Sequence, residues 1–410
     1  RNGTYKLMVS YVSYKTLTLE VSVNGMSEIN ITLAPDNQQL GEVVVVAEAK
    51  KNTENALITR QRTSLVMQTG VSAQQITKTQ DKDASEVIRR VPGISIIEEK
   101  FVMVRGLSQR YNNVWINNSA VPSSEADARA FSFDIIPSSQ LDNMLVVKSP
   151  APEYPADFSG GFILVNTKDV PNSNLFNISV GGSMNDQTHF KNFQYNKGSG
   201  TDFLGFDNGL RSLNGGINAT LRPMNNGYDL LNNGLNNDWS IKNRKPIADL
   251  SLSMNIAHRW VSESGRTLAM LGAVNYSNTY KTYLNMDNNL YGAYDITHDR
   301  SNYLRKGVDD QYNHNVRVGA MLNLTYVPAS GNNRYEFKNI FNQLGKDRYT
   351  YRKGTDAQSD YEESAEYYYQ SRTTYSGQFT GKHTWSDTDK LDWSAGYSYA
   401  NRNMSDRRRY

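Results

Sequence analysis

The sequence predicts a mainly β protein: a mixed αβ globule followed by the first strands of a large antiparallel transmembrane β-barrel, preceded by the end of a small β-sandwich. Two observations carry the barrel. Segments between residues 172 and 410 alternate apolar with polar side chains, and the connections between them alternate short with long. A third carries the globule: from Val91 to Lys168, short apolar runs are punctuated by Gly, Pro and Asn, and none is long enough to stand alone.

Composition sets the limits. Of 410 residues 38% are hydrophobic, mean hydropathy is −0.63, and no run approaches the ~18 apolar residues of a membrane helix. Helical membrane proteins are thereby excluded. A β-barrel is not, because lipid-facing and lumen-facing residues average to a polar composition. The 26 tyrosines and abundant asparagines suit interfacial girdles, polar lumens and surface loops. Without cysteine there is neither a disulfide framework nor a thiolate metal site, as fits an exported bacterial protein. A net charge of +3 gives no argument for nucleic acid. Arg1 falls inside a strand-like pattern with no signal peptide or initiating Met, so the chain is expected to be a piece of a longer one.

In residues 1–35, Tyr5, Leu7, Val9 and Tyr11 alternate with polar or small neighbours, as do Leu17, Leu19, Val21 and Val23, then Ile29, Ile31 and Leu33, with a turn signal at Asn24-Gly25. Three such strands cannot bury a core alone, so they read as the last strands of a sandwich. The pattern is similar to the carboxypeptidase-regulatory-like domain that precedes many outer-membrane receptors of Bacteroidetes-type bacteria; any other β-sandwich module fits these residues nearly as well. Residues 36–70 read as a linker holding Glu42-Val43-Val44-Val45-Val46-Ala47, whose valines favour an extended strand. It is either a strand of the neighbouring domain or a docking peptide that adds to another protein's sheet edge, and its place between sandwich and globule favours docking.

Within residues 71–168, Asp83-Ala84-Ser85-Glu86 opens a helix that Pro92-Gly93 closes. Ile94–Ile97, Phe101–Arg105, Asn113–Asn117, Met144–Lys148 and Phe162–Val165 read as strands, with Pro137 placed to open a short helix and Gly160-Gly161 to make a tight turn. The order of Glu42–Ala47, Val91-Pro92-Gly93, Val104-Arg105-Gly106, Tyr111-Asn112-Asn113-Val114 and Phe158-Ser159-Gly160-Gly161 resembles the plug of a TonB-dependent outer-membrane receptor. The resemblance implies that Glu42, Val43, Val44, Val45, Val46 and Ala47 are the TonB box, that Pro92, Gly93, Arg105, Gly106, Gly160 and Gly161 are plug motif positions, and that TonB with the inner-membrane energy-transducing complex is the partner. It further implies that plug apex and external loops bind a scarce solute such as a ferric siderophore, glycan, peptide or cobalamin. Candidate apex residues are Gln109, Arg110, Tyr111, Ser123, Ser124 and Glu125, polar loop positions between plug strands. In the SusC-like branch the strand after Arg-Gly carries an Asp-Gly turn. Trp115-Ile116-Asn117-Asn118 stands here instead, which leaves a SusD-like lipoprotein partner open.

A plug needs a barrel, and residues 172–410 supply about seven alternating segments: around Phe176–Val180, Leu250–Ile256, Leu268–Tyr276, Val316–Leu324, Tyr335–Phe341, Tyr375–Trp385 and Leu391–Tyr399. Against ~22 strands in a plugged transporter barrel this array is incomplete. Short turns fall at Val261–Arg266, Pro328–Asn333 and Ser386–Asp389, and long loops are expected at Asn185–Pro246, Lys281–Gln311 and Lys346–Glu363. That is the pattern of periplasmic turns and external loops, with Trp260, Tyr326, Tyr335, Trp385 and Trp393 as a girdle facing outer-membrane lipid.

No catalytic constellation emerges, so no enzyme activity, cofactor or metal is expected. His189, His258, His298, His314 and His383 lack ligand spacing. Ser159-Gly160-Gly161 lacks the strand-turn-helix context of a nucleophile elbow. Gly205–Gly216 precedes no helix that could cradle phosphate. Glu362, Glu363 and Glu366 read as a solvated loop, and Arg407-Arg408-Arg409 as external loop. The expected function is binding and active import of a scarce solute through a plugged outer-membrane barrel. The alternatives are a plugged barrel acting as adhesin, assembly or signalling component, and a soluble carbohydrate-binding β-protein.

Overall fold

The computed structural model describes residues 3–11, 16–25, 28–34, 53–123, 125, 129–170, 173–212, 236–386 and 388–410. The chain forms two compact units, Arg1–Lys50 and Lys51–Tyr410. In the first, β1 (Gly3–Val9) and β2 (Leu17–Val23) pair antiparallel from Gly3↔Val23 to Val9↔Leu17. The third expected run, Ile29–Leu33, forms no strand.

The second unit opens with α1 (Glu54–Thr63), capped by the Thr53 side chain accepting from Ala56 N at 3.2 Å. Its place inside the expected linker is a difference from the sequence reading: the helix is polar and buries only Leu57, so it shows no periodic apolar face. It leads into β3 (Gln68–Ser72) and then α2 (Ala73–Thr79), capped by Ser72. Next comes α3 (Ala84–Ile88), capped by Asp83 as its capping motif predicts. A hairpin follows, β4 (Ile94–Ile97) with β5 (Phe101–Val104). Then come β6 (Asn113–Ile116), β7 (Ser119–Ala120), β8 (Leu141–Val147) and β9 (Phe162–Thr167), which with β3 make a five-stranded sheet in the order β3-β8-β9-β6-β7. Only β6–β9 is parallel. β8 is buried along almost its whole length, so both sheet faces are covered.

The β6–β7 turn explains the departure at Trp115–Asn118. Ile116 pairs with Ser119, so the turn residues are Asn117 (φ 50°) and Asn118 (φ 67°). A tight hairpin with both central residues left-handed accepts Asn as it accepts Asp-Gly. Asn117 adds two bonds of its own, accepting from Thr167 N at 2.9 Å and donating to Thr167 Oγ1 at 2.9 Å.

The rest of the chain is a wall of antiparallel strands: β10 (Leu175–Ser183), β13 (Asp249–Val261), β14 (Thr267–Asp287), β16 (Arg300–Val327), β17 (Asn333–Asp356), β18 (Tyr361–Thr384) and β19 (Lys390–Arg409), paired in chain order. β15 (Leu290–Asp295) folds back on β16, and β11 (Phe193–Tyr195) pairs with β12 (Lys242–Arg244) within the insertion between β10 and β13. Every predicted alternating segment lies in one of the seven wall strands, except that Trp385 falls one residue past the end of β18. The predicted long loops at Lys281–Gln311 and Lys346–Glu363 do not hold: both are largely strand, and β16 alone runs 28 residues against the ~9–11 that cross a bilayer. Arg407–Arg409 likewise end β19 rather than lying in a loop. Beyond the membrane both faces of a strand meet polar surroundings, so the two-residue contrast that reveals a spanning strand disappears while Tyr and Thr still favour extension.

The wall has two unlike faces. Lys338, Ile340, Leu344 and Lys346 of β17 meet the globule, and Ile340 and Leu344 belong to its apolar core. The alternate residues, Tyr335 and Phe337 among them, point the other way, as do the exposed Ile178, Leu252, Met254, Leu322 and Phe379. This outward belt ends near the short turns in Trp260, Tyr326 and Trp393, with Trp393 donating to His383 Nε2 at 3.0 Å. Outward-facing apolar side chains in a band bounded by aromatics are the surface a bilayer demands of a barrel.

Candidate functional site: where the globule meets the wall

Three carboxylates of the globule face cations on four successive wall strands. Asp134 lies within the apolar run Phe131–Ile136 and is buried. Arg372 of β18, itself only 1% exposed, grips it in a fork, Nη1 to Oδ1 at 3.1 Å and Nη2 to Oδ2 at 2.7 Å. Lys346 of β17 adds a third bond at 2.8 Å. Burial opposes ionisation of Asp134, but the Arg372 and Lys346 charges outweigh it and hold the carboxyl well below the usual carboxylate range.

Glu125 takes Arg402 of β19, with Lys100 at 3.5 Å and Arg372 at 3.9 Å. Asp83 divides its two oxygens. Oδ1 caps α3, accepting from Ser85 N at 3.1 Å and Glu86 N at 3.2 Å; Oδ2 accepts from Arg317 of β16 at 3.0 Å. The helix cap and the wall contact are thus one residue, and the cap fixes the carboxylate that Arg317 meets. Backbone bonds tie these carriers together: Ala84 N to Ile136 O at 2.9 Å, and Phe133 N to Lys100 O at 2.9 Å. Two neutral contacts and one ion pair complete the seat. Ser139 Oγ donates to Asn275 Oδ1 at 2.7 Å, Asn323 Nδ2 donates to Lys168 O at 2.6 Å, and Lys338 pairs with Asp169. At Gly396 of β19 a Cβ would collide with Ser119 Oγ, so only glycine lets β7 lie against the wall there.

The plug motif positions are brought together, but for structure. Arg105 (φ 54°) and Gly106 (φ 76°) make the turn after β5. From there the Arg105 guanidinium donates to Gly160 O at 2.8 Å and Ser159 O at 3.2 Å, while its backbone N donates to Gly93 O at 2.9 Å. Gly160 N donates to Tyr111 O at 3.0 Å, and Pro92 O accepts from Lys148 at 2.7 Å. Together these bonds fasten the β4–β5 hairpin to the turn before β9. A side chain in the left-handed region costs roughly 1 kcal/mol; the three bonds of Arg105 offset it.

The candidate apex residues fall in two places. Gln109, Arg110 and Tyr111 form a short 3-10 turn held to Ser159–Gly160, with Arg110 and Tyr111 exposed. Ser123 and Glu125 are drawn into internal contacts: Ser123 Oγ donates to Ala130 O at 2.8 Å, and Glu125 serves the wall. Ser124 lies outside the described residues, as does the whole segment Glu42–Ala47. Sequence reasoning missed Asp134, Arg372, Lys346 and Arg402. The usable signal was one carboxylate inside an apolar run, together with cations at inward positions of spanning strands.

Comparisons with known proteins bear on this arrangement. The family model described as TonB-dependent Receptor Plug Domain matches residues 60–162. The vitamin B12 transporter BtuB of Photobacterium profundum is 28% identical over 118 residues, which cover 27% of this chain and 19% of that protein. Among solved structures, a mutant of the ferric enterobactin receptor PfeA from Pseudomonas aeruginosa aligns at 10% identity and TM-score 0.30, over 83% of this chain and 56% of its own. The siderophore receptor PirA from Acinetobacter baumannii gives 11% identity and TM-score 0.32, over 84% and 55%. The ferric citrate transporter FecA gives 13% and 0.30, over 85% and 60%. The chain spans less than two thirds of the length of each of these relatives. Residues 60–162 thus carry a TonB-dependent receptor plug domain, and that globule is seated on the inner face of bilayer-length strands.

Proposed function

We propose that this chain is the N-terminal part of an energised importer, in which the plug is a stopper fastened by reversible charge contacts and drawn aside to admit a scarce solute. In this reading residues 1–35 close a carboxypeptidase-regulatory-like sandwich, 36–70 carry the docking segment, 71–168 form the plug body and 172–410 begin the barrel. The observation that carries it is the polar seat: Asp83, Glu125 and Asp134 hold the plug to Arg317, Lys346, Arg372 and Arg402. Charges that leave one another can be rehydrated, so they part more readily than the apolar contact that Ile340 and Leu344 make with the plug core.

TonB would take Glu42–Ala47 as an added strand, with backbone hydrogen bonds supplying affinity, and pull on the plug from its N-terminal side. Solute class remains siderophore-iron, glycan, peptide or cobalamin, with Gln109, Arg110 and Tyr111 as contact candidates. Deleting Glu42–Ala47 from the full receptor is expected to abolish capture by the purified periplasmic domain of TonB and to stop receptor-dependent growth, with the receptor still in the outer membrane. Undiminished capture and growth would overturn the reading and favour an adhesin.

A further inference from the structure

Above its lipid-facing belt the wall carries a second layer on the same outward face. The insertion between β10 and β13 presses a 3-10 turn, Asp202–Leu204, against β17. Gln343 Nε2 donates to Gly205 O at 2.6 Å, and a Cβ on Gly205 (φ 78°) would lie 2.9 Å from Gly345 N. Behind the turn, Arg211 bridges Asp202 at 2.7 Å and Asp207 at 2.8 Å and stacks over the Tyr369 ring at 3.7 Å. Ser199 Oγ donates to Asp202 at 2.6 Å. This knot leaves Phe203, Leu204, Phe206 and Leu210 exposed, Phe203 by 57%. A rigid loop that displays clustered apolar side chains calls for an apolar neighbour.

Its position says which neighbour. Gln343 and Gly345 share the outward face of β17 with Phe337 and stand on the side away from the short turn, so the loop begins where the belt ends. Four residues further along β17 is Tyr349, paired with Tyr312. There the β11–β12 hairpin packs, Phe193 edge-on to Tyr312 at 5.5 Å and to Tyr280 at 5.4 Å. Around this hairpin Lys191, Lys197, Lys242 and Lys245 are all exposed. Apolar side chains next to the belt, with cations beyond them, follow the order in which a leaflet offers acyl chains and then anionic headgroups.

The geometry points to a lipid-binding foot on the outside of the barrel, with Phe203, Leu204, Phe206 and Leu210 in the acyl layer of the outer leaflet and the lysines on anionic headgroups. The chain has no cysteine, so Phe203→Cys and Leu210→Cys each take a single fluorophore. Phe337→Cys serves as the belt reference and Gln358→Cys, in the turn between β17 and β18, as the aqueous one; all four side chains are exposed, so folding is retained. In vesicles of anionic lipid with spin-labelled acyl chains, both loop labels are expected to lose emission as the Phe337 label does and to resist iodide. Iodide quenching like that at Gln358 overturns the proposal. Protection from both quenchers also overturns it, since protein would then cover the loop. Replacing anionic with neutral lipid is expected to reduce lipid quenching at Phe203; an unchanged value would remove the lysines from the account.

Discussion

Asp134→Ala is expected to loosen the plug while leaving the wall intact. The substitution strands Arg372, which is buried with the carboxylate, and Lys346, which is half-buried beside it. Removing one member of a buried ion pair costs about 3–5 kcal/mol, because the surviving charge stays desolvated. Glu125, 3.9 Å from Arg372, softens this, so the lower part of that range is expected. Read by amide hydrogen exchange, protection across residues 131–136 should fall by about two decades, since ~1.4 kcal/mol is tenfold. Strand amides far from the contact should not change. Replacing both partners, Asp134→Leu with Arg372→Met, should recover most of the loss; unchanged protection in Asp134→Ala would show that the pair does not hold the plug. The same contact sets a pH dependence. The carboxyl is held below its unfolded value of ~3.9, so its contribution is complete above that pH and is lost as pH falls through the lower, folded value. Plug protection should therefore persist at about pH 4 and fail only in stronger acid.

Leu344→Ala is the second large effect. Leu344 belongs to a wall strand by chain order but to the plug core by packing, 1% exposed beside Ile340 and the plug's own residues. Truncating a buried leucine costs about 2–5 kcal/mol, set by how far the cavity collapses. Here the loss falls on the seat, so plug amides should exchange faster while β16–β18 pairing is kept. Leu322→Ala, on the outward face and 43% exposed, should change neither by a comparable amount. If wall and plug lose protection together in Leu344→Ala, the plug is an integral part of the wall's fold and not a separable stopper.

The wall was legible because a bilayer imposes contrast. Ile178 beside Ser179, or Leu252 beside Ser253, marks a strand with lipid on one side and lumen on the other. Where β16 and β17 rise beyond the bilayer that contrast ends, and Arg300–Gln311 read as loop although they pair with β15 and β17. In the plug, Asp83 announced α3 through its capping motif, whereas α1 and α2 are short, polar and bury one residue each. The seat was the least legible part. Arg317 could be read as inward-facing from its parity, but its partner Asp83 is 234 positions away and had already been accounted for as a helix cap. A charge pair between distant segments leaves no local periodicity, so only the packed fold discloses it.

The central claim is that the plug parts from the wall during import. Ser139 of the plug and Asn275 of β14 touch at 2.7 Å, and residues 1–410 hold no cysteine beside them. In the full receptor carrying Ser139→Cys and Asn275→Cys, oxidation to a complete crosslink is expected to stop receptor-dependent growth and uptake, and reduction to restore both. Uptake that continues undiminished with the crosslink closed would contradict the account.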